Sequence, residues 1–363
     1  MAGLRSASWL AALVLTAVVA SIASELLIPL ILAALLAILL RPLVRGLEKL
    51  RVPPYLGALV VVAGTSAILI GTLQLAQGPA TRVLEDLPRA AARVADELHA
   101  LKRSMGDGNS FSQTMEVFED FQDGAGSQLQ RVQIEPVPLD TQLLSIGATV
   151  VVTGLGVVLL VYFFLVHGDT LFRRLIEITP TLTDKKRTVE IVRAVQSDAS
   201  RYLLTITVIN IGLALAVAGA LWALGVENAV FWGLVAGTLN FVPYLGAAIV
   251  TGALLLVGFG DPANVGPIAA LTPAIVYMLI NAVEANGLTP WLLGRQFAIN
   301  PLVILIWLML WGWLWGVPGV LLGVPMLVCA KVVLSRVERF QAWAVLMGDR
   351  ETLSTPLERS TVS

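Results

Sequence analysis

One carboxylate stands among apolar residues in the C-terminal half of the sequence. Glu284 ends an apolar run over 267–283, and Asn281 and Asn286 lie on either side of it. A charged side chain in lipid is costly unless it is paired or hydrated, so such residues usually face a cavity or an ion path. Glu284 could therefore bind a cation or take up and release a proton. The alternative is a position at the membrane interface, where water would solvate the carboxylate.

Two further asparagines stand beside prolines. Asn240 opens the sequence Asn-Phe-Val-Pro-Tyr-Leu-Gly over 240–246, and Asn300 directly precedes Pro301. Proline has no backbone N–H and disfavours helical geometry in the residue before it. The asparagine amides could bind a polar solute or satisfy the backbone groups that the prolines leave free, and both roles stay open.

Two long apolar stretches, 228–258 and 302–334, are each interrupted near the middle. The first is broken at 240–246 and the second at 316–319, which reads Gly-Val-Pro-Gly. Unpaired backbone cannot face lipid, so broken helices occur inside protein or beside a water-filled cavity. In transporters they form the solute site. The pattern predicts two discontinuous segments related as an inverted repeat, with ordinary kinked helices as the alternative.

Composition indicates the class of protein that carries these residues. Of the 363 residues, 57% are hydrophobic and only 13% are charged, whereas soluble domains carry about 25% charged residues. A soluble chain of this length would need far more polar surface to cover its exterior. The sequence therefore predicts an all-α, polytopic integral membrane protein embedded in a lipid bilayer.

Other observations exclude several functions. The net charge is −1, so no basic field attracts nucleic acid. The sequence has no phosphate-binding glycine loop and no nucleophile–base pair in the apolar segments, so we expect neither ATP-driven transport nor an enzyme. A single cysteine, Cys329, and two widely spaced histidines predict no disulfide, no metal site and no cofactor.

About eight membrane segments are predicted. Residues 7–40 read as two helices that turn near Ser24, although a cleaved signal peptide competes for the first of them. Further spans are predicted over 55–76, 143–166, 202–224 and 267–283. The chain then divides into an N-terminal helical scaffold (1–77), a polar amphipathic segment (78–142), a membrane helix with a basic segment (143–201), a transport core with both interrupted segments (202–334) and a tail (335–363).

The polar segment 78–142 carries an excess of acidic over basic residues and a short heptad pattern. The apolar positions of that pattern are Leu84, Leu87, Ala91, Val94, Leu98 and Leu101. The pattern covers fewer than three heptads and Pro88 interrupts it. It favours an amphipathic helix packed on its own protein or on the membrane surface, with a subunit contact as the alternative.

Basic residues give the expected orientation. They cluster at 41–51, 167–201 and 331–359. All three clusters fall on one side if 78–142 lies on the other, so the positive-inside rule places both termini in the cytoplasm and 78–142 outside the cell membrane. Two arrangements share this parity: eight spans, or six spans and two re-entrant hairpins. Arg295, in the linker 286–299, favours the hairpins because it would then be cytoplasmic.

Several of these motifs together resemble those of the autoinducer-2 exporter family. Residues 240–246 match its N-F-[IV]-P-Y-[VL]-G signature, and 284–295 resemble its E-x-N-x-[IL]-x-P…L-G-[RK] stretch. Asn300-Pro301-Leu302 matches [HN]-P-L, and 316–325 resembles G-x-x-G…[VA]-P. Order and spacing agree along nearly the whole chain. Family members often carry Gln where Asn281 stands and His where Asn300 stands.

The resemblance implies a homo-oligomeric carrier, expected as a pentamer, that exports a small polar solute such as autoinducer-2 or a related metabolite without ATP. Some relatives are associated instead with sodium/proton exchange, so H⁺ or Na⁺ is the expected coupling ion and Glu284 the residue that would bind it. The candidate solute-binding residues are Asn240, Phe241, Pro243, Tyr244, Gly246, Asn281, Asn286, Pro290, Asn300, Pro301, Gly316, Pro318 and Gly319.

Two alternatives to solute export stay open. The first is a monovalent cation/proton antiporter, which needs a titrating carboxylate in the membrane. The second is a non-transporting membrane scaffold that works through 78–142.

Overall fold

Helices make up nearly all of the described part of the chain. The computed structural model describes residues 20–105, 139–177, 182–260, 266–293 and 299–336. In chain order the helices are α1 (Ser24–Lys49), α2 (Pro54–Met105), α3 (Leu139–Glu177), α4 (Leu182–Ala194), α5 (Ser200–Ala223), α6 (Ala229–Leu239), α7 (Leu245–Gly260), α8 (Pro267–Val283), α9 (Thr289–Leu293), α10 (Pro301–Trp315) and α11 (Val317–Arg336). Two π-helical segments, Val195–Ala199 and Glu284–Leu288, join α4 to α5 and α8 to α9.

Six helical stretches of this part of the chain are long and apolar enough to cross a membrane, and α6, α7 and α10 are shorter apolar helices. The prediction of an all-α, polytopic membrane protein is confirmed. Residues 20–22 are helical and the chain turns at Ala23, next to the predicted turn at Ser24.

Some predictions lie outside the described residues. These are most of the first membrane helix and the competing signal peptide, the segment 106–138, and nearly all of the tail. The heptad pattern lies on the backbone of α2, but the side chains of its apolar positions also lie outside the described part of the structure.

Helix α2 is far longer than a membrane is thick. Its 52 residues extend about 78 Å at the rise of an α-helix, against a hydrocarbon core of about 30 Å. It therefore continues without a break through position 77, where the sequence suggested that the polar segment begins. Toward the far end of this helix Arg93 donates a hydrogen bond to the carbonyl of Gly260, the last residue of α7. We call the end of the molecule toward Met105 the strut end.

The opposite end carries the connection between α1 and α2, with Lys49 and Arg51, and we call it the basic end. Helix α3 reaches it as well, because Asp169 forms an ion pair with Arg41 of α1. A buried apolar cluster holds α1, α2 and α3 together, with Ala33 and Ala58 both fully buried. We call these three helices the N-terminal bundle; α1 and the first part of α2 lie within the segment 1–77 that the sequence suggested as a scaffold.

Helices α5 and α6 form a close antiparallel pair. A side chain at Gly237 would lie 2.6 Å from the carbonyl oxygen of Asn210, and one at Gly233 would collide with the carbonyl oxygen of Ala214. The residue number on α6 decreases as that of its neighbour on α5 increases, so the two helices are antiparallel. Helix α6 therefore begins at the strut end and runs back along α5. Small residues at such crossings let two helix backbones approach closely in a membrane.

Helix α7 folds back on α6 rather than continuing across the membrane. Val250 and Leu254 of α7 lie in one buried cluster with Trp232 of α6 and Val217 of α5. A continuing helix would carry Val250 well beyond that cluster. The 11 residues of α6 extend only about 16 Å, roughly half of the hydrocarbon core. Residues 229–260 are thus a re-entrant hairpin that enters from the strut end, as the hairpin arrangement predicted.

The second interrupted segment is also a helical hairpin, but a deeper one. Helix α10 packs antiparallel to α11, with Trp307 donating to the carbonyl of Gly323 at 2.8 Å. The apex is Gly316, at φ 63°, a conformation that glycine adopts without strain. Trp315 donates to the carbonyl of Ala20 at 3.0 Å, so this apex reaches the strut end. The two hairpins therefore end at different levels, because the apex of the first is bonded to Asn210 in the middle of α5, whereas the apex of the second reaches the strut end.

Candidate functional site

The apex of the re-entrant hairpin is a tight, non-helical turn over 240–244. The side-chain amide of Asn240 donates to Oδ1 of Asn210 on α5 at 2.9 Å. Tyr244 has φ 65°, which is uncommon for a residue with a side chain. Gly246 is buried, and a side chain there would collide with the carbonyl oxygen of Leu239. Turn and flanking helices are therefore closely fitted, and Asn240 attaches them to α5.

Asn210 is the residue that sequence reasoning missed. It lies in the middle of α5, is 3% exposed, and its Nδ2 has no hydrogen-bond partner among the described residues. An asparagine within the apolar run 202–224 is a detectable signal, because polar residues inside membrane helices are rare and usually functional. The proximity of Asn210 to Asn240, 30 positions apart, could not be read from the sequence.

Glu284 lies inside a helical rod and not at the end of one. The sequence suggested that the helix over 267–283 ends at this residue. The structure continues it through the π segment to Leu293, so the apolar stretch Ile268–Leu293 has 26 residues. Glu284 is 7% exposed and accepts a hydrogen bond from the hydroxyl of Thr289. A single π turn within an α-helix is frequent at functional sites.

Packing between α7 and α8 gives the depth of this carboxylate. The two helices are antiparallel: a side chain at Gly258 would meet the carbonyl of Ala270, and Val250 and Tyr277 lie in the same cluster. Two helical turns farther along this register, Glu284 is level with the apex turn of the hairpin. A buried carboxylate and the non-helical apex of the hairpin therefore share one level of the molecule.

The other candidates around Glu284 are placed less deeply. Asn281 and Phe241 are half-buried, whereas Asn286 and Pro290 are exposed. The side-chain amide of Asn286 donates to the carbonyl of Ala282 in its own helix at 2.9 Å. Of these residues, Asn281 and Phe241 are the more enclosed.

The candidates of the second hairpin do not lie together. Asn300 precedes α10, and its Oδ1 accepts from the backbone N–H of Leu302 at 2.9 Å. Gly316 follows the 15-residue α10, 16 positions after Asn300, so the two ends are about 24 Å apart. Asn300 and Pro301 lie at the basic end, and Gly316, Pro318 and Gly319 at the strut end. Gly319 serves packing, because a side chain there would collide with the carbonyl of Trp311.

Polar groups at the level of the apex can bind a small solute or a cation, since they combine amide donors with a carboxylate inside an apolar bundle. In the described ranges no group of three His, Cys, Asp or Glu residues could hold a metal ion.

Comparison with known proteins adds a match over nearly the whole chain. The sequence profile of the AI-2E family of transporters matches residues 10–339. The AI-2 transport protein TqsA of Escherichia coli is 36% identical over 164 residues, which are 44% of this chain and 45% of that protein. A Mycobacterium tuberculosis protein, MT0215, whose name assigns it to transport, is 25% identical over 293 residues. The matched residues are 77% of this chain and 74% of that protein.

A protein of Haemophilus influenzae whose name also assigns it to transport is 34% identical over 131 residues, 35% of each chain. The chain thus spans less than half the length of the Escherichia coli and Haemophilus relatives that it matches.

Proposed function

Because the chain belongs to the AI-2E family of transporters, we propose that it exports a small polar solute as a secondary transporter, without ATP. One observation carries the proposal: a re-entrant hairpin ends at half depth, level with the buried carboxylate of Glu284. Half-depth hairpins and interrupted helices are the elements that form solute and ion sites in secondary transporters. The name of the Escherichia coli relative suggests autoinducer-2 or a related metabolite as the solute.

The binding site in this proposal is built around the apex turn. Asn240, Pro243 and Tyr244 contact the solute from the hairpin, and Gly246 keeps the turn tight. Glu284 binds the coupling ion, H⁺ or Na⁺, at the same level. The hairpin moves against the N-terminal bundle of α1, α2 and α3.

The remaining candidates take a different place in the proposal. Asn300 and Pro301 border the solute path at the basic end, and Gly316, Pro318 and Gly319 border it at the strut end. With the basic end in the cytoplasm, both termini are cytoplasmic and α2 projects outside the cell. The resemblance to the family supports a homo-oligomer, expected as a pentamer.

Transport by the purified full chain in vesicles tests this function. Efflux of a panel of small polar metabolites is measured with imposed pH and sodium gradients, for the wild type and for Glu284→Gln. We expect a gradient to drive efflux of at least one solute in the wild type, and Glu284→Gln to lose at least tenfold of that driven rate. Glu227→Gln is the control, because Glu227 is exposed in the connection before α6. Efflux rates that do not depend on the gradient, and are equal in the wild type and both variants, would contradict the coupling role of Glu284.

A monovalent cation/proton antiporter is the second candidate, and burial of Glu284 in the membrane favours it. The same vesicles separate the two functions. An antiporter exchanges Na⁺ for H⁺ in the absence of any organic solute, whereas an exporter moves little sodium until its solute is present.

A further inference from the structure

The bond between Asn210 and Asn240 leaves one buried polar atom without a partner. Asn210 is 3% exposed, its Oδ1 accepts from Asn240, and its Nδ2 is unpaired within the described structure. A buried polar group without a hydrogen bond is destabilising, and most such groups in native proteins are paired. With Asn240 donating, as observed, the unpaired atom of Asn210 is a donor.

A second unpaired group lies on α8. Tyr277 is 1% exposed, and its hydroxyl has no partner among the described residues. Buried tyrosine hydroxyls usually find one. Leu213, one turn from Asn210 on α5, belongs to the same buried cluster as Tyr277. The two unpaired groups therefore lie in one region of the interior, on neighbouring helices.

The carboxylate of Glu284 completes this region. Glu284 follows Tyr277 by two helical turns, and its π segment contacts α5. The hydroxyl of Thr289 occupies one carboxylate oxygen, Oε1. Since a carboxylate oxygen can accept more than one hydrogen bond and there are two of them, Glu284 can still accept from a hydroxyl.

We propose that Asn210 and Tyr277 form a binding subsite for an uncharged solute that presents oxygen acceptors. This inference rests on the transport function proposed above and deepens it. The unpaired N–H₂ of Asn210 donates to a carbonyl or hydroxyl oxygen of the solute, Tyr277 donates to a second oxygen, and Glu284 accepts from a solute hydroxyl. A dehydrated cation requires oxygen ligands only, and an amide N–H₂ opposes it. The subsite thus selects a neutral solute over a bare cation.

Thermal unfolding of the purified full chain in detergent micelles tests the subsite without any transport measurement. The additives are glycerol, erythritol, dihydroxyacetone and ribose at equal concentrations, and sodium chloride against choline chloride at equal ionic strength. The variants are Asn210→Asp, which replaces the donor by an acceptor of the same shape, and Tyr277→Phe. Asn228→Asp is the matched control, because Asn228 lies in the connection before α6, away from the subsite.

We expect at least one solute to raise the unfolding temperature of the wild type and of Asn228→Asp by about 2 °C or more. That rise is lost in Asn210→Asp and reduced in Tyr277→Phe. Sodium stabilises Asn210→Asp more than the wild type, because the new carboxylate supplies the missing oxygen ligand. If Asn210→Asp does not fold, the reduced solute effect in Tyr277→Phe still decides.

Three outcomes overturn the subsite: sodium in place of the solutes stabilises the wild type, the solutes act equally on all folded variants, or no additive changes the wild type. Failure of vesicle transport alone would instead remove the transport function, since the unfolding measurement reports binding.

Discussion

Gly246 lies where α7 leaves the apex turn, and its lack of a side chain is a structural requirement there. A methyl group at this position would collide with the carbonyl oxygen of Leu239. Overpacking of this kind costs about 1–3 kcal/mol. We therefore expect Gly246→Ala to lower the free energy of unfolding by about 2 kcal/mol, measured by thermal unfolding of the purified protein.

The control for this substitution is Gly252→Ala, six positions along the same helix. Gly252 is exposed and a side chain there meets nothing within 4 Å, so its unfolding temperature should stay close to that of the wild type. Equal losses at both positions would show that the close contact at the apex does not matter.

Individual polar residues were predictable where sequence neighbours marked them. Asn240 was singled out because Pro243 follows it, and Glu284 because apolar residues precede it. Asn210 also stands within an apolar run, but its pairing with Asn240 and its proximity to Tyr277 arise from packing between α5, α6 and α8. Contacts between residues 30 positions apart depend on how helices cross, and a single sequence does not contain that information.

Helix α10 is fixed to α11 by one side-chain hydrogen bond near the middle of the deeper hairpin. The indole N–H of Trp307 donates to the carbonyl of Gly323, and such bonds between membrane helices contribute about 0.6–2 kcal/mol. Trp307→Phe keeps an aromatic ring and removes the donor. We expect it to lower the free energy of unfolding by about 1 kcal/mol.

Trp313 on the same helix provides the comparison. It is 80% exposed and faces away from α11, so Trp313→Phe should leave the unfolding temperature nearly unchanged. A loss for Trp313→Phe as large as that for Trp307→Phe would mean that ring size, rather than the hydrogen bond, determines the stability of the hairpin.

Helices were predicted more securely than their ends. The apolar runs 55–76 and 267–283 both became helices, but the first continues to Met105 and the second to Leu293. Hydropathy reports where a helix leaves lipid and not where its hydrogen bonds stop. The π turn at Glu284 is an example. Its polar residues suggested the end of a helix, whereas the backbone continues there with one wider turn.

The two hairpins show that proline and glycine indicate where a helix is interrupted but not how deep the interruption lies. Proline and glycine identified both apexes, at 240–244 and at Gly316. Their depths differ: the first apex is bonded to Asn210 in the middle of α5, whereas Trp315 at the second contacts Ala20 near the N-terminal turn. An inverted repeat with equivalent halves would have placed both apexes at one level. In the described part of the structure, only the apex at 240–244 is level with Glu284.

The arrangement of the entire chain makes a prediction about which segments share a side of the membrane. Because α6 and α7 form a re-entrant hairpin, the connection before α6 and the start of α8 lie on the same side. Glu227 and Ile268 mark these two places, and both are exposed. If residues 229–260 crossed the membrane completely, they would lie on opposite sides.

Cysteine labelling distinguishes these arrangements. In a Cys329→Ala background, which removes the one native thiol, Glu227→Cys and Ile268→Cys should react with a membrane-impermeant maleimide in intact cells. Leu50→Cys, in the connection at the basic end and 73% exposed, should react only in inverted vesicles. Labelling of Glu227→Cys and Ile268→Cys from opposite faces would exclude the re-entrant hairpin. Without the re-entrant apex, Asn240 and Glu284 would not lie at one level, and the transport site proposed around them would fail.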